Sequence, residues 1–278
     1  MKTMMQQMAA SQKANYSNAG TVQHLAVGQE DHLIRYYPAG PETAPAYIDI
    51  HGGGMVWGSM EDGDLLAREM NTQLGVHVLS LDYPLVPDVE YPVPVEYLYA
   101  SIREIMGSAS HWNIDPKRVF IGGRSAGGNL AAVMAILSAQ RGEFRFVGQI
   151  LDHPWLDLCG RIDWSHRPVD KDMSEEAMRG LALGYAAPDC LEDATCTPLN
   201  VPVELIPQLP PAIIQTAEFD PLKPEGDFYA ELLKNSGISV ISHCFPGARH
   251  AFTENNDENG RLGRQWIIDM VRKAEWLK

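Results

Sequence analysis

The sequence has few cysteines and no long apolar run. Its four cysteines form no C-x-x-C pair and its nine histidines no H-E-x-x-H pair, so neither motif of a zinc site is present. We interpret the cysteines as free thiols, with a disulfide or a metal site as the alternatives. No window approaches the roughly 18 apolar residues of a membrane span, and the first ten residues lack the apolar core of a secretory signal. These features predict a cytoplasmic, cofactor-free protein without a bound metal.

Positive charge is also scarce. The chain has 22 Lys and Arg against 36 Asp and Glu, which gives a formal net charge of −14. Such an excess of negative charge disfavours nucleic acid and anionic membrane surfaces as partners. The length of 278 residues and the hydrophobic content of 45% suit one large domain with a sizeable core. We expect a single domain over residues 1–278.

Strand-like and helix-like stretches alternate along the chain from residue 20 onward. This alternation predicts an α/β fold, with an eight-stranded, mostly parallel sheet and helices on both faces. No helix separates the first two strands, so we expect them to form an antiparallel pair. The predicted strands are 21–27, 32–37, 46–50, 76–82, 118–122, 147–152, 211–217 and 238–244. The predicted helices are 61–74, 93–108, 126–140, 226–236 and 261–276.

Two stretches do not follow this alternation. Residues 155–205 are about fifty residues between two strands, which is too long for a plain connection. This stretch contains one helical piece near Ser174–Tyr185, and we predict that it forms a lid, with a surface excursion as the alternative. Residues 1–18 form either a second lid element or a disordered tail. Three methionines of that segment would share one face of a helix: Met4, Met5 and Met8.

A short motif predicts a nucleophile. Ser125 lies in G-R-S-A-G at residues 123–127, between the apolar run 118–122 and a run rich in Ala and Leu. In a strand–turn–helix setting, G-x-S-x-G exposes the serine hydroxyl on a sharp turn above the positive end of a helix. The motif alone is weak evidence for a nucleophile, because a flexible glycine turn without a catalytic role would have the same sequence pattern. The flanking strand and helix favour Ser125 as a nucleophile.

A second motif predicts donors for a developing oxyanion. H-G-G-G at residues 51–54 follows the strand-like run 46–50. Three consecutive glycines are costly in conformational entropy, and close approach of the backbone to a substrate oxygen would explain them. A flexible loop is the alternative. A serine nucleophile and oxyanion donors are together the parts needed for attack on a carbonyl carbon.

The strand ends predict a base and the acid that orients it. Asp220 comes just after the strand 211–217 and before a proline, and His250 lies in the loop after the last strand. Because functional side chains of open α/β sheets lie at the carboxyl ends of strands, both residues are well placed to meet Ser125. The same criterion disfavours three other acids: Asp82, Asp157 and Glu218.

These motifs together resemble the hormone-sensitive-lipase-like branch of the α/β-hydrolases, which includes many bacterial acetyl esterases. The resemblance covers about residues 45–255, in family order. Its motifs are H-G-G-G at 51–54, D-Y-P-L-V-P at 82–87, S-A-G-G at 125–128, D-P-L at 220–222 and H-A-F at 250–252. The resemblance implies that Gly53, Gly54 and Ala126 donate backbone N–H groups to the oxyanion and that His51 braces the glycine loop. It also implies that a homodimer would form through the last strand and helix, although we interpret 261–276 as a core-facing helix.

Three positions depart from the family pattern. Arg124 stands where the family has Asp, Pro84 where it has Arg, and Ala251 where it has Gly. We interpret the first two as a coupled change that removes an Asp–Arg pair. None of the three departures alters the serine, the aspartate or the histidine.

The sequence therefore predicts a serine carboxylesterase with Ser125 as nucleophile, His250 as base and Asp220 as the acid that orients it. The acidic, proline-rich stretch 155–205 lacks the apolar character of a long acyl channel, so acetyl to butyryl esters are expected. Met55 and the methionines of residues 1–18 are predicted to line the pocket. An amide hydrolase resembling arylformamidase is the first alternative. A receptor that has lost its catalytic residues is the second, and the presence of the serine and the histidine disfavours it.

Overall fold

An eight-stranded sheet runs through the centre of the molecule. The structure, a computed structural model, describes residues 20–278. The strands are β1 (Thr21–Val27), β2 (Glu30–Tyr37), β3 (Ala44–Ile50), β4 (His77–Leu81), β5 (Ile114–Arg124), β6 (Gln149–Asp152), β7 (Ala212–Ala217) and β8 (Val240–Phe245). Their order across the sheet is β1-β2-β4-β3-β5-β6-β7-β8. β2 is antiparallel to β1 and to β4, and all other pairs are parallel. The predicted mostly parallel sheet with an antiparallel start is confirmed.

Six α-helices accompany the strands within residues 20–278. They are α1 (Asp64–Leu74), α2 (Val93–Gly107), α3 (Ala126–Arg141), α4 (Glu175–Tyr185), α5 (Lys223–Asn235) and α6 (Glu258–Lys273). Local capping explains several boundaries: Ser174 and Asp257 accept backbone N–H bonds at the starts of α4 and α6. α5 begins earlier than predicted because Pro224 fits the first turn of a helix. Every predicted helix is present.

The helices cover both faces of the sheet. On one face, apolar side chains of α2, α3 and α5 pack together with alternate residues of β3, including Ile48 and Ile50. On the other face, α1 and α6 pack against the opposite side of the same strand, where Tyr47 lies. α6 buries Ile267 and Ile268, so the prediction that it faces the core is confirmed. The resulting three layers fix the carboxyl ends of the parallel strands at one edge, where the functional side chains lie.

The long connection from β6 to β7 carries α4 and three short 3-10 turns. α4 lies against the glycine loop, because Leu181 Cδ1 is 3.2 Å from where a Cβ on Gly54 would lie. A lid role for residues 155–205 stays a prediction. The segment 1–18, with Met4, Met5 and Met8, lies outside the described residues. No helix within residues 20–278 has both the length and the apolar character needed to cross a membrane.

Candidate active site

Ser125 lies on a sharp turn between the last residue of β5 and the first residue of α3. Its φ of 53° and ψ of −117° are strained for a residue with a side chain. Backbone hydrogen bonds hold this geometry, since the Ser125 N–H donates to the Asp152 carbonyl at 3.1 Å and its carbonyl accepts from Trp155 at 3.0 Å. A Cβ on Gly123 would lie 2.3 Å from the Gly127 carbonyl oxygen. The turn therefore requires the glycines of its motif.

A chain of hydrogen bonds joins the predicted nucleophile, base and acid. His250 Nε2 lies 2.9 Å from Ser125 Oγ. On the other side of the same ring, Nδ1 lies 2.8 Å from Asp220 Oδ2. The second oxygen of Asp220 accepts the backbone N–H of Leu222 at 2.8 Å, which fixes the carboxylate. With Nδ1–H donated to Asp220, Nε2 is free to accept the hydroxyl proton of Ser125.

The environment of His250 favours its charged form. Burial of the imidazole is the largest single influence and opposes the charge, but the carboxylates of Asp220, Glu254 and Asp152 together outweigh burial and raise the pKa of His250 above its ordinary value. Asp220 itself is completely buried, so its charge acts in a medium that screens it poorly. An aspartate in this position stabilises an imidazolium that forms beside it.

The three alternative acids hold other parts of the molecule. Asp82 Oδ1 lies 3.2 Å from His51 Nε2, on the glycine-loop side. Asp157 accepts backbone N–H groups from its own turn, including Ile162 at 2.7 Å. Glu218 accepts the N–H of Gly247 at 2.7 Å. Their side chains thus serve loops around the site.

The glycine loop passes directly beside the nucleophile turn. A Cβ on Gly52 would lie 3.0 Å from the Arg124 carbonyl oxygen and 3.5 Å from Ser125 Cβ. Gly53 and Gly54 have φ values of 105° and 61°, which glycine adopts without strain. Within residues 20–278, the N–H groups of Gly53 and Gly54 donate no hydrogen bond. They are therefore available to an oxygen bound next to Ser125.

The third predicted donor and the brace are also adjacent to this loop. Ala126 is the first residue of α3, where a backbone N–H has no partner within the helix. His51 Nδ1 lies 2.8 Å from the Gly52 carbonyl oxygen, and its ring stacks on Tyr83 at 4.2 Å between centroids. Met55 has a φ of 61° and a completely buried side chain within the core. Whether Met55 lines a substrate pocket stays a prediction.

Arg124 forms a buried ion pair that the sequence did not reveal. Its Nη1 lies 2.9 Å from Asp49 Oδ1 on the adjacent strand β3, and its Nε lies 3.7 Å from Glu254 Oε1. The interpretation that an Asp–Arg pair is removed was therefore incomplete. The cation now stands next to the nucleophile and its carboxylate partner stands on β3.

His153 is a residue of the site that the sequence reasoning missed. It follows β6 directly, is buried, and its ring centroid lies 4.7 Å from that of His250. One nitrogen or oxygen atom from each of His153, Asp220 and His250 lies within 4.8 Å of the other two. This is the one group of three possible metal ligands among the described residues. The His250 and Asp220 atoms are hydrogen-bonded to each other there. The rule that selected Asp220, a polar residue just past a strand end, would also have selected His153.

Known proteins share this fold and much of this sequence. A family model described as alpha/beta hydrolase fold matches residues 47–254. The Carboxylesterase NlhH of Mycobacterium tuberculosis is 34% identical over 233 residues, which cover 81% of this chain and 72% of that protein. The Ethyl acetate hydrolase of Pseudomonas putida is 30% identical over 210 residues, which cover 74% and 65% respectively. The solved structure of EstE1, a thermostable carboxylesterase cloned from a metagenomic library, gives a TM-score of 0.90 at 30% identity and covers 100% of this chain and 96% of that one. The chain belongs to the α/β-hydrolase fold family, in its hormone-sensitive-lipase-like branch.

Proposed function

We propose that this protein is a serine carboxylesterase that hydrolyses acetyl to butyryl esters through an acyl-enzyme on Ser125. The observation that carries the proposal is the hydrogen-bonded chain from Ser125 through His250 to Asp220, next to the glycine loop, whose Gly53 and Gly54 N–H groups donate to no other residue of 20–278. A nucleophile, a base and oxyanion donors within one small space are the parts that acyl transfer requires.

The reaction proceeds in two halves. In the first, Ser125 Oγ attacks the ester carbonyl carbon while His250 Nε2 takes the hydroxyl proton. Gly53, Gly54 and Ala126 donate N–H groups to the oxyanion, and the imidazolium returns its proton to the departing alcohol. In the second half, His250 takes a proton from water, the hydroxide attacks the acyl carbon, and the Ser125 oxygen leaves with that proton. Asp220 holds the imidazole in one tautomer throughout and stabilises its charged form.

The preference for short acyl groups is argued from the space around the glycine loop. Leu181 of α4 lies where a side chain on Gly54 would extend, and Met55, the next residue of the chain, is completely buried. A long acyl chain gains about 0.8 kcal/mol for each methylene that it buries, but only in an apolar channel that can receive it. The connection from β6 to β7 is acidic and proline-rich, and its apolar side chains such as Trp155 and Met178 are already buried in the core. The relative named Ethyl acetate hydrolase is consistent with an acetyl ester as substrate.

A hydrolysis screen tests this proposal. The values of kcat/KM for p-nitrophenyl esters from two to twelve carbons should be highest at two to four carbons and fall beyond about six. Ser125→Ala serves as the control for contaminating esterase and should lose at least about 10³-fold in kcat. A profile that keeps rising to ten or twelve carbons would refute the short-acyl preference. Activity retained in Ser125→Ala would refute the mechanism itself.

The same screen distinguishes an amidase from an esterase. An N-formyl aromatic amine is assayed beside the aryl acetate at equal concentrations. The proposal requires the ester to be the better substrate by kcat/KM, and the reverse ranking would assign the protein to formamide hydrolysis.

A cytoplasmic location and a homodimer complete the proposal. β8 is the last strand of the sheet and its outer edge bears no further strand within residues 20–278, so a second copy could extend the sheet there. Light scattering of the purified protein should give twice the monomer mass of 30.8 kDa. A mass that stays at the monomer value over a hundredfold range of concentration would refute the dimer.

A further inference from the structure

His153 stands at the end of β6 in a conformation that few side-chain-bearing residues adopt. Its φ is 39°, and its backbone N–H donates to the Gln215 carbonyl oxygen at 2.7 Å. Its side chain is completely buried. A bulky residue held at positive φ next to reacting groups indicates that its side chain has a functional role at that position.

The hydrogen bonds around His153 fix which of its nitrogens carries the proton. Thr253 has one hydroxyl proton, and it donates that proton to Asp152 Oδ2 at 2.5 Å. His153 Nε2 lies 3.3 Å from the same hydroxyl oxygen, so at this contact the histidine must be the donor. Asp152 is held in turn by Gln215, whose amide donates to its other oxygen at 2.8 Å. His153 is therefore the Nε2–H tautomer, with a bare lone pair on Nδ1.

His153 remains neutral while His250 changes its charge. Burial lowers the pKa of His153 well below its ordinary value, and the neighbouring His250 lowers it further. The two rings pack edge to face, with centroids 4.7 Å apart and an interplanar angle of 69°. Within residues 20–278, Nδ1 of His153 has no hydrogen-bond partner. A neutral ring at this distance limits rotation of the His250 ring and adds no charge beside it.

Thr253 extends this contact to the loop that carries the base. It lies three residues after His250 and is buried, so His153 and Asp152 together anchor this loop to the end of β6. The base is thus held from two sides, by Asp220 at its Nδ1 and by His153 at its ring.

We propose that His153 is a positioning residue for the base. Its contact with the His250 ring and its hydrogen bond to Thr253 keep that ring in one orientation as the imidazolium forms. In this orientation His250 Nε2 stays hydrogen-bonded to Ser125 and Nδ1 to Asp220. This inference rests on the proposed esterase function for its kinetic consequence. Its structural content, the orientation of the His250 ring, is independent of that function.

Three variants test the proposal. His153→Asn removes the ring but suits a positive φ, because asparagine tolerates this region of backbone space. His153→Phe keeps a ring and loses the donor to Thr253. His77→Asn is the matched control, since His77 is completely buried in the same sheet but begins β4, at the opposite end from the site. Each kcat is expressed per serine titrated with an organophosphonate, so unfolded protein does not count.

The expected result is a fall in kcat of about 10- to 100-fold for His153→Asn, with KM for p-nitrophenyl acetate unchanged within about twofold. His153→Phe should recover part of that loss, and His77→Asn should keep the kcat of the parent protein. A kcat for His153→Asn within about twofold of the parent would overturn the proposal. A KM that changes with the alcohol portion of the ester, at unchanged kcat, would overturn it too, because the residue would then contact substrate.

A spectroscopic measurement separates this proposal from the proposed function. The proton between His250 Nδ1 and Asp220 gives a ¹H resonance far downfield of the amide region, whether or not esters are hydrolysed. We expect His153→Asn to broaden or shift this resonance and His77→Asn to leave it in place. If the parent protein hydrolysed no ester, the esterase proposal would fail, while the resonance would still decide the positioning role. An unchanged resonance in His153→Asn would overturn it.

Discussion

Replacing Arg124 by methionine should destabilise the protein strongly while leaving its chemistry largely intact. The guanidinium donates to both oxygens of Asp49, at 2.9 and 3.4 Å, and both side chains are at most 2% exposed. Burial opposes the charge of Arg124, but Asp49 and Glu254 outweigh burial and raise its pKa. Methionine fills a similar volume and leaves the carboxylate of Asp49 buried without its cation.

Loss of one partner from a buried ion pair typically costs about 3–5 kcal/mol of unfolding free energy, because an uncompensated charge remains. Among residues 20–278, Asp49 retains the hydroxyl donors of Tyr47 and Ser80, each at 3.2 Å, which are weaker than a guanidinium. We therefore expect Arg124→Met to lose about 3–5 kcal/mol. The double variant Arg124→Met/Asp49→Asn should be more stable than the sum of its single losses predicts, because position 49 no longer carries a buried charge without its cation.

Urea unfolding of the parent protein, of Arg124→Met, of Asp49→Asn and of the double variant measures these free energies. Arg272→Met is the control, since its partner Asp269 is about half exposed and such surface pairs contribute at most about 1 kcal/mol. The kcat of folded Arg124→Met should stay within about tenfold of the parent, because the guanidinium contacts neither Ser125 nor His250. A loss of stability below about 1 kcal/mol, or a fall in kcat above about 100-fold at unchanged stability, would refute this reasoning.

Three further predictions follow from the site and its surroundings. Asp220→Asn should lower kcat by about 10⁴-fold because the imidazole loses the acceptor that fixes its tautomer, whereas Asp157→Asn should cost far less; steady-state kinetics that rank the two the other way would contradict the assignment. The acidic limb of the pH profile of kcat/KM should have its midpoint above 6.5, because Asp220 raises the pKa of His250 and activity is lost as pH falls through that value. A midpoint below 6.5 would be incompatible with this pairing. Glu225→Gln should lower the unfolding free energy by about 1–3 kcal/mol, measured in urea, since Arg167 loses a charged hydrogen-bond acceptor and keeps only Asp157, at 3.6 Å, as a carboxylate partner among the described residues; an unchanged midpoint would show that the Arg167–Glu225 pair contributes nothing.

Local patterns were sufficient to predict the layered fold. The strands at 46–50 and 211–217 are short apolar runs between turn residues, and such runs become buried central strands. The helix after Ser125 is composed of strong helix formers and is buried on nearly all sides. Boundaries were less certain, because they depend on caps such as Asp257, which lie outside the periodic part of the pattern.

The long-range pairs of the site could not be read from the sequence. Asp49 and Arg124 are 75 positions apart, and they meet only because β3 lies beside β5 in the sheet. His153 and Thr253 are 100 positions apart, and their contact depends on where the loop after β8 returns to the site. Strand order decides both contacts, and no local propensity encodes it.

The close contact between the glycine loop and the nucleophile turn has a consequence for how such enzymes diverge. A Cβ on Gly127 would lie 2.1 Å from the Ile50 carbonyl oxygen, and one on Gly52 would lie 3.0 Å from that of Arg124. The distance between the attacking oxygen and the oxyanion donors is thus set by direct packing of one backbone segment on the other. No side chain lies between these segments at the two glycines, so no substitution for a larger or smaller side chain can adjust the distance there. Substitution can hardly retune that spacing, so new substrates must be gained through the elements above it, such as α4. Directed evolution of this protein for other esters is therefore best aimed at the connection from β6 to β7, with the two glycine motifs left untouched.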